Sequence, residues 1–246
     1  MSVHTHPHPH HHHHDHKLEI VTACVGFDDF LDVAIEFNHP HVDNYIVVTS
    51  HSDHKTQAVC RKHGVQCVQT DLFKKNGREF NKGAALNAGM NYFQFNGWRL
   101  NLDADILLPD NFRRLLFNHH HLDKDDIYGC DRVDVIGKVH LDKLKSAGPQ
   151  HKHGMLMQPG GEVGSRYVDL LDGYLPLGYF QLWNAKCQKP YPHSLGTAAH
   201  DDIMFSALWP RQSRKLLPGM IVYHLCAAKP VWGENWDGNR KQPRLW

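Results

Sequence analysis

The first hundred residues alternate between short apolar runs and segments of helical spacing, and this alternation is the feature that most limits the possible folds. Four runs have the length and β-branched content of strands: Leu18–Val25, Asn44–Thr49, Val65–Gln69 and Trp98–Leu102. Three segments between them are predicted to be helices: Asp28–Phe37, Thr56–His63 and Lys82–Phe95. This order predicts an α/β fold, with a Rossmann-like, mostly parallel sheet and helices on both faces.

The remainder of the chain has a less regular pattern. Further strands are predicted at Ile127–Gly137, Leu177–Trp183 and Met220–Leu225. Further helices are predicted at Asn111–Phe117 and Asp201–Leu208. Lys145–Gly164 is rich in glycine, proline, histidine and lysine without periodicity, which predicts a long loop.

Composition narrows the class of protein. The chain has 246 residues, of which 41% are hydrophobic and 22% charged, and this suits one α/β domain. The formal net charge of +1 gives no indication of nucleic-acid binding. Apolar runs do not exceed strand length and the N-terminus has no apolar leader, so we expect a cytoplasmic protein without a membrane span. None of the six cysteines forms a Cys-x-x-Cys pair, which argues against a zinc ribbon.

The N-terminus has an unusual composition. The first sixteen residues hold nine of the 23 histidines, interspersed with proline. We predict that residues 1–16 form a disordered tail, either an expression tag or a natural metal-binding tract, and that residues 17–246 form the folded domain.

Two aspartates separated by one residue follow the fourth predicted strand. Ligands of parallel sheets bind at the carboxyl ends of the strands, where Asp103 and Asp105 lie. Hard divalent cations prefer carboxylate oxygens, and such an ion can neutralise a nucleotide diphosphate. We therefore predict a Mn²⁺ or Mg²⁺ site, with Asp105 on the metal and Asp103 on a ribose or a metal-bound water.

Residues 17–115 resemble the nucleotide-sugar-binding half of GT-A glycosyltransferases, in the broad family-2-like group. Within them, Asn81–Gly89 resembles the helix that precedes the Asp-x-Asp strand. Three later segments are similar to the acceptor-binding half of that family: Leu177–Phe180, His200–Ser206 and Val222–Leu225. Asn235–Arg240 resembles the ending of small glycosyltransferases of tailed phages. The resemblance implies one GT-A domain, in which residues 116–246 supply the acceptor-binding half and a C-terminal closing tail.

The resemblance also implies roles for individual residues. In this family the ends of the first two strands hold the base and ribose, and a late strand returns a metal-binding histidine, here His224. Tyr179 and Phe180 are placed on the acceptor side. The donor-binding set is Thr22, Asp53, Lys82, Asn87, Asp103, Trp236 and Arg240.

Asp201 and Asp202 are the candidates for a catalytic base. They are predicted to open a helix, whose dipole and free N–H groups would keep a carboxylate ionised. An inverting transferase needs such a carboxylate to take the proton of the acceptor hydroxyl. Similarity to a galactosyltransferase-like pattern favours Asp201, whereas the commoner family-2 pattern favours Asp202. We give a slight preference to Asp201, with plain N-capping as the alternative.

Together these features predict a metal-dependent inverting glycosyltransferase that uses a nucleotide-diphosphate sugar, with a UDP-sugar as the first choice. The acceptor hydroxyl stays open between a glycan, a protein and a hydroxymethylated DNA base. One alternative is a nucleotidyltransferase that makes sugar nucleotides, although its basic glycine-rich loop would replace the acidic Val25–Asp29 segment. Another is a non-enzymatic metal-binding protein that uses the histidine tail.

Overall fold

The computed structural model describes residues 16–146, 167–169, 173–231 and 234–246. Its strands are β1 (Leu18–Ala23), β2 (Asn44–Thr49), β3 (Gln66–Gln69), β4 (Trp98–Leu102), β5 (Ile106–Leu107), β6 (Ile127–Ile136), β7 (Tyr167–Asp169), β8 (Gly173–Leu175), β9 (Phe180–Asn184) and β10 (Arg214–Cys226). Its α-helices are α1 (Asp28–Asn38), α2 (His54–His63), α3 (Lys82–Met90), α4 (Phe112–Asn118), α5 (Gly137–Ser146) and α6 (Ala198–Ser206). Short 3₁₀ turns occur at His39–His41, Leu72–Gly77, Ala185–Cys187 and Arg211–Ser213.

Eight of these strands form one sheet in the order β3-β2-β1-β4-β9-β6-β10-β5. The pairs β3-β2, β2-β1, β1-β4 and β6-β10 are parallel. β9 and β5 run antiparallel to their neighbours, while β7 and β8 form a separate hairpin. The predicted mostly parallel sheet is therefore confirmed, although β9 interrupts it between β4 and β6.

The sheet is covered on both faces, as predicted. Neighbouring strand residues point in opposite directions, so Ile20 and Leu182 enter one hydrophobic cluster whereas Val21 and Trp183 enter another. The first cluster includes residues of α1, α2 and α4, and the second includes residues of α3 and α6. Because both faces of the sheet are buried, the first strands have continuous apolar runs.

Several predicted boundaries are wrong. α6 begins at Ala198 with Thr197 at its N-cap, so the Asp201–Asp202 pair lies inside the helix and does not open it. α3 ends at Met90 and not at Phe95, because the buried Glu19 carboxylate accepts hydrogen bonds from the N–H groups of residues 94 and 95. α5 was not predicted, and β10 is longer than its predicted apolar part.

Some predictions fall outside the described residues: the tail over residues 1–15 and most of the predicted loop, from residue 147 onward. No helix in the described part of the chain is both long and apolar enough to cross a membrane.

The C-terminal segment, residues 234–246, is fixed to the opposite end of the chain. The Arg240 guanidinium donates to both Asp29 carboxylate oxygens at 2.6 and 2.8 Å, and Arg244 forms a similar pair with Asp28. Gly238 packs against the Phe80 ring with a φ of 80°, where a Cβ would overlap the ring. The segment thus lies against α1 and the loop before α3, beside the carboxyl edge of the sheet.

Candidate functional site

A cavity of about 420 Å³ lies at the carboxyl edge of the parallel strands. Residues that follow β1 and β4, those that precede β9, part of α6, the end of β10 and the C-terminal segment form its walls. Its charged lining residues are Lys82, Asp103, Asp105, Arg132, Asp202, His224 and Glu234. This is the edge at which ligands of open α/β sheets bind.

The Asp103–Asp105 turn brings Asp105 against His224. Directly after the turn, β5 pairs with β10, and the N–H of Leu225 donates to the backbone oxygen of Asp105 at 2.8 Å. As a result, His224 Nε2 lies 3.0 Å from the Asp105 carboxylate. The two residues are 119 positions apart in sequence, and the short β5 strand is what joins them.

The other nitrogen of His224 faces a third acidic residue. Asp134 on β6 is in register with His224, and its carboxylate lies 2.8 Å from Nδ1. Burial lowers the pKa of His224, but the two carboxylates outweigh it and hold that pKa well above its usual range. His224 lowers the pKa of Asp105 in turn, against the effect of burial. The structure therefore has an imidazole ring between two carboxylates.

This arrangement fits a divalent ion. An imidazole nitrogen beside a carboxylate oxygen is a donor set that Mn²⁺ accepts, and a bound ion would replace the proton that His224 otherwise holds. Asp134, His224 and Cys226 also form a group whose possible ligand atoms all lie within 4.8 Å of one another. Asp103 is not in contact with this group; its carboxylate points to Lys82.

Lys82 joins Asp103 to Asp202. Its ammonium, at the start of α3, lies 2.8 Å from the Asp103 carboxylate and 3.1 Å from that of Asp202. Burial raises the pKa of Asp202 to about 7; Lys82 opposes this shift, while Asp103 and Asp201 add to it. One buried oxygen of Asp202 has no hydrogen-bond partner among the described residues. A Cβ at Gly178 would overlap this carboxylate, so the glycine before β9 makes room for it.

Asp201 is in a different environment. Its fully buried carboxylate accepts two hydrogen bonds from Arg78, both 2.8 Å long, and one from the N–H of Gly83 at 3.1 Å. These contacts tie α6 to the start of α3, and Asp201 does not line the cavity. The geometry therefore does not support the preference for Asp201 as the base.

We expect Asp201→Asn to destabilise the fold. The substitution leaves the buried Arg78 guanidinium without its counter-charge, and breaking a buried pair in this way costs about 3–5 kcal/mol. The free energy of unfolding in urea measures the loss. A matched Asp142→Asn substitution on the exposed side of α5 should change it by less than about 0.5 kcal/mol. Equal stabilities of the two variants would contradict a structural role for Asp201.

Arg240 and three other predicted donor-binding residues lie outside the cavity lining. Thr22 is fully buried, and its hydroxyl donates to the Leu102 oxygen at 2.8 Å. Asp53 caps α2 and accepts from the N–H of Gly26 at 2.8 Å. The Asn87 amide exchanges hydrogen bonds with the backbone of Tyr191. In this structure all three side chains hold neighbouring segments together.

Of the other predicted site residues, some line the cavity and some do not. Lys82, Asp103, Tyr179 and Trp236 line the cavity, and the Tyr179 hydroxyl donates to the Cys130 oxygen. Phe180 is completely buried against Phe112. The Arg240 guanidinium donates to the oxygens of Gly26, Asp29, Gln242 and Pro243. Those contacts use its N–H groups, so Arg240 has no free donor for a phosphate in this conformation. Trp232, in the same tail, lies outside the described residues.

Sequence reasoning missed Asp134, Arg132 and Gly178. A signal for the first two was present: charged side chains two residues apart in an apolar strand point to the same face of the sheet. Gly178 carried no signal of its own, because its role depends on the distant Asp202.

No family model matches the chain, and no curated protein matches its sequence. Solved structures do match its fold. A mycobacterial protein aligns with a TM-score of 0.54 and 15% identity, over 88% of this chain and 69% of the other. Mannosyl-3-phosphoglycerate synthase from Rubrobacter xylanophilus aligns with a TM-score of 0.50 and 17% identity, over 88% of this chain and 68% of the other. At these identities the similarity establishes only the mixed α/β fold, with its mostly parallel sheet and its helices; the likeness to phage enzymes stays a prediction.

Proposed function

We propose that this protein is a metal-dependent glycosyltransferase that takes its sugar from a nucleotide diphosphate, with a UDP-sugar as the first donor to test. One observation carries the proposal: the Asp105–His224 pair and the buried Asp202 carboxylate open into the same cavity at the carboxyl edge of the sheet. The first group suits a divalent cation and the second suits proton transfer. The fold neighbour that is named as a mannosyl-3-phosphoglycerate synthase is consistent with sugar chemistry.

Asp105 and His224 are the proposed metal ligands. Asp134 accepts the Nδ1 proton of His224 and so directs Nε2 toward Asp105, which is how carboxylates commonly orient metal-binding histidines. When bound, Mn²⁺ or Mg²⁺ would neutralise the charge of the departing diphosphate. Asp103, fixed by Lys82, is proposed to contact the ribose or a metal-bound water.

Asp202 is the proposed base. It lines the cavity, and its pKa of about 7 allows it to accept a proton near neutral pH. A single displacement assisted by this base inverts the configuration of the sugar. The Lys82 ammonium, which also pairs with Asp103, holds one oxygen of the Asp202 carboxylate in place. The other oxygen of this carboxylate has no hydrogen-bond partner among the described residues.

The alternatives have less support. A nucleotidyltransferase would use a basic loop after β1, whereas Asp28 and Asp29 follow this strand and pair with Arg244 and Arg240. A non-enzymatic protein that binds metal through its histidine tail would need residues 1–16 for this binding. Removal of those residues should abolish metal binding in such a protein and leave a transferase active.

UDP together with Mn²⁺ should raise the melting temperature of the protein. A ligand that binds only the folded state at 100 times its Kd stabilises it by about 2.7 kcal/mol, or roughly 5–10 °C for a domain of this size. Differential scanning fluorimetry checks this, with UDP plus EDTA and Mn²⁺ alone as controls. If no nucleoside diphosphate of any base produces a metal-dependent shift, the proposed donor site is wrong.

A further inference from the structure

His224 faces possible metal ligands on both sides of its ring, and those beside Nδ1 include a sulfur atom. Nε2 lies 3.0 Å from the Asp105 carboxylate. Nδ1 lies 2.8 Å from the Asp134 carboxylate and 3.5 Å from the Cys226 sulfur. The ring therefore has an oxygen ligand on one side, and an oxygen and a sulfur ligand on the other.

The sheet explains why Asp134, His224 and Cys226 meet. His224 and Cys226 are two residues apart on β10, so their side chains point to the same face of the sheet. Asp134 is in register with His224 on the neighbouring strand β6. The possible ligand atoms of the three residues all lie within 4.8 Å of one another. Because two paired strands carry all three, the arrangement does not depend on a loop.

The separations fit a zinc ion. Zinc binds thiolate sulfur at about 2.3 Å and imidazole nitrogen or carboxylate oxygen at about 2.0–2.2 Å, so the ligand atoms of a tetrahedral site are roughly 3.3–3.6 Å apart. The nitrogen–sulfur distance of 3.5 Å already has this value. The nitrogen–oxygen distance of 2.8 Å needs to open by only about 0.5 Å.

Charge and access also favour an ion at this position. On binding, the Cys226 thiol would release its proton to water, and the thiolate and the Asp134 carboxylate would together neutralise Zn²⁺. Arg132 interacts electrostatically with both Asp105 and Asp134, which offsets the remaining carboxylate. The Asp134 side chain is 41% exposed and gives the ion a path from solvent. Cys226 lines the cavity, so water can fill the fourth position.

We propose that Asp134, Cys226 and Nδ1 of His224 form a second metal site, which binds thiophilic divalent ions such as Zn²⁺ and thereby excludes Mn²⁺ from Asp105. Soft thiolate ligands select zinc, whereas a carboxylate oxygen suits Mn²⁺. A neutral imidazole that binds zinc through Nδ1 keeps its proton on Nε2, where it donates to Asp105 and cannot bind a second ion. Zinc therefore blocks metal-dependent nucleotide binding, and this consequence rests on the proposed function.

Cobalt tests the site itself without any nucleotide. Co²⁺ substitutes for zinc, and a cobalt–thiolate bond absorbs in the near ultraviolet by charge transfer. The histidine tail contains no cysteine and cannot produce this absorption. We expect the full chain to show it on titration with Co²⁺ and to lose it when Zn²⁺ is added. Cys226→Ser should abolish the absorption, whereas Cys187→Ser, at a half-buried cysteine outside the cavity lining, should retain it.

Asp134→Asn provides a second variant in case Cys226→Ser does not fold. It removes an oxygen ligand from a partly exposed position and should weaken Co²⁺ binding by at least about 10-fold, as judged from the same absorption.

Mn²⁺-dependent binding of UDP tests the antagonism between the two ions. Equilibrium dialysis fixes the free concentrations of Zn²⁺ and Mn²⁺, so that the histidine tail changes neither. UDP affinity is measured with and without Zn²⁺, and the ratio is compared within each protein. At a free Zn²⁺ concentration of about ten times its dissociation constant, the affinity of the original protein should fall about 10-fold by competition. In Cys226→Ser it should fall less than about 2-fold.

The possible failures are distinguishable. Absence of the cobalt–thiolate absorption in the unmodified chain would overturn the zinc site. An equal loss of UDP affinity in the original protein and in Cys226→Ser would mean that zinc displaces Mn²⁺ at Asp105 itself, and would overturn the antagonism. Absence of Mn²⁺-dependent UDP binding without zinc would reject the proposed function, while the cobalt absorption would still decide the zinc site.

Discussion

Asp202→Asn is expected to reduce the rate of sugar transfer roughly 10²- to 10⁴-fold, the usual contribution of a general base. The amide has the shape of the carboxyl group but cannot accept the proton. Because the Asp202 carboxylate contacts Lys82 and no described metal-site residue, affinity for the UDP-sugar with Mn²⁺ should stay within a few-fold. The donor is the UDP-sugar that stabilises the protein most, and water serves as the acceptor. The rate is measured as the release of UDP.

The pH dependence gives this prediction a second readout. Burial raises the pKa of Asp202 from 3.8 to about 7, so activity should rise with pH through about 7 as the carboxyl loses its proton. The same shift means that its contribution to folding stability is present below about pH 4 and is lost as pH rises through about 7. Asp202→Asn should therefore be no less stable than the original protein above pH 7.

The stereochemistry of the product provides the remaining check on Asp202. A single displacement gives an anomeric configuration opposite to that of the donor, which NMR of the product reports. Retained configuration, or full activity of Asp202→Asn, would remove Asp202 from the role of base. The exposed Asp142→Asn variant should match the original protein in rate and in pH profile.

Asp105→Ala and His224→Ala are each expected to abolish Mn²⁺-dependent binding of UDP. Each removes one of two adjacent donor atoms that lie 3.0 Å apart, and the remaining one is too weak a ligand alone. Calorimetry with UDP, in the presence and absence of Mn²⁺, measures the effect. Circular dichroism should show an intact fold, since both side chains lie at the cavity edge.

A graded set of variants distinguishes ligands from orienting groups. Asp134→Asn should weaken Mn²⁺ binding about 10- to 100-fold without abolishing it, as expected for a carboxylate that orients a metal-binding histidine. His54→Ala, on an exposed part of α2, is the matched control and should have no effect. Unchanged metal-dependent UDP affinity in both Asp105→Ala and His224→Ala would rule out this metal site.

The sequence best predicted the bounds of those helices and strands that depend on residues close together in the chain. β2 and β4 have the predicted bounds because their apolar runs end abruptly at polar residues, and α2 ends at Gly64 in the left-handed conformation that favours glycine. The Asp103–Asp105 turn could be placed at the end of its strand for the same reason. Once the sheet was predicted to be parallel, its ligand-binding edge followed.

Contacts between distant segments could not be predicted in this way. Thr22 and Asp53 lie at the predicted strand ends, but the side chain of Thr22 bonds to β4 and that of Asp53 to the loop after β1. The choice between Asp201 and Asp202 depends on Arg78, which lies 123 residues from Asp201. Such pairings arise from packing, and spacing along the chain contains no information about them.

The attachment of the C-terminal segment to α1 has a consequence for biosynthesis. Arg240 and Arg244 are made more than two hundred residues after their partners Asp29 and Asp28. A nascent chain can pair β1, β2, β3 and β4 early, but the wall that contains Trp236 forms only when those arginines have left the ribosome. Substrate binding at this cavity therefore cannot assist folding before those arginines have emerged, and β1 to β4 must pair without it.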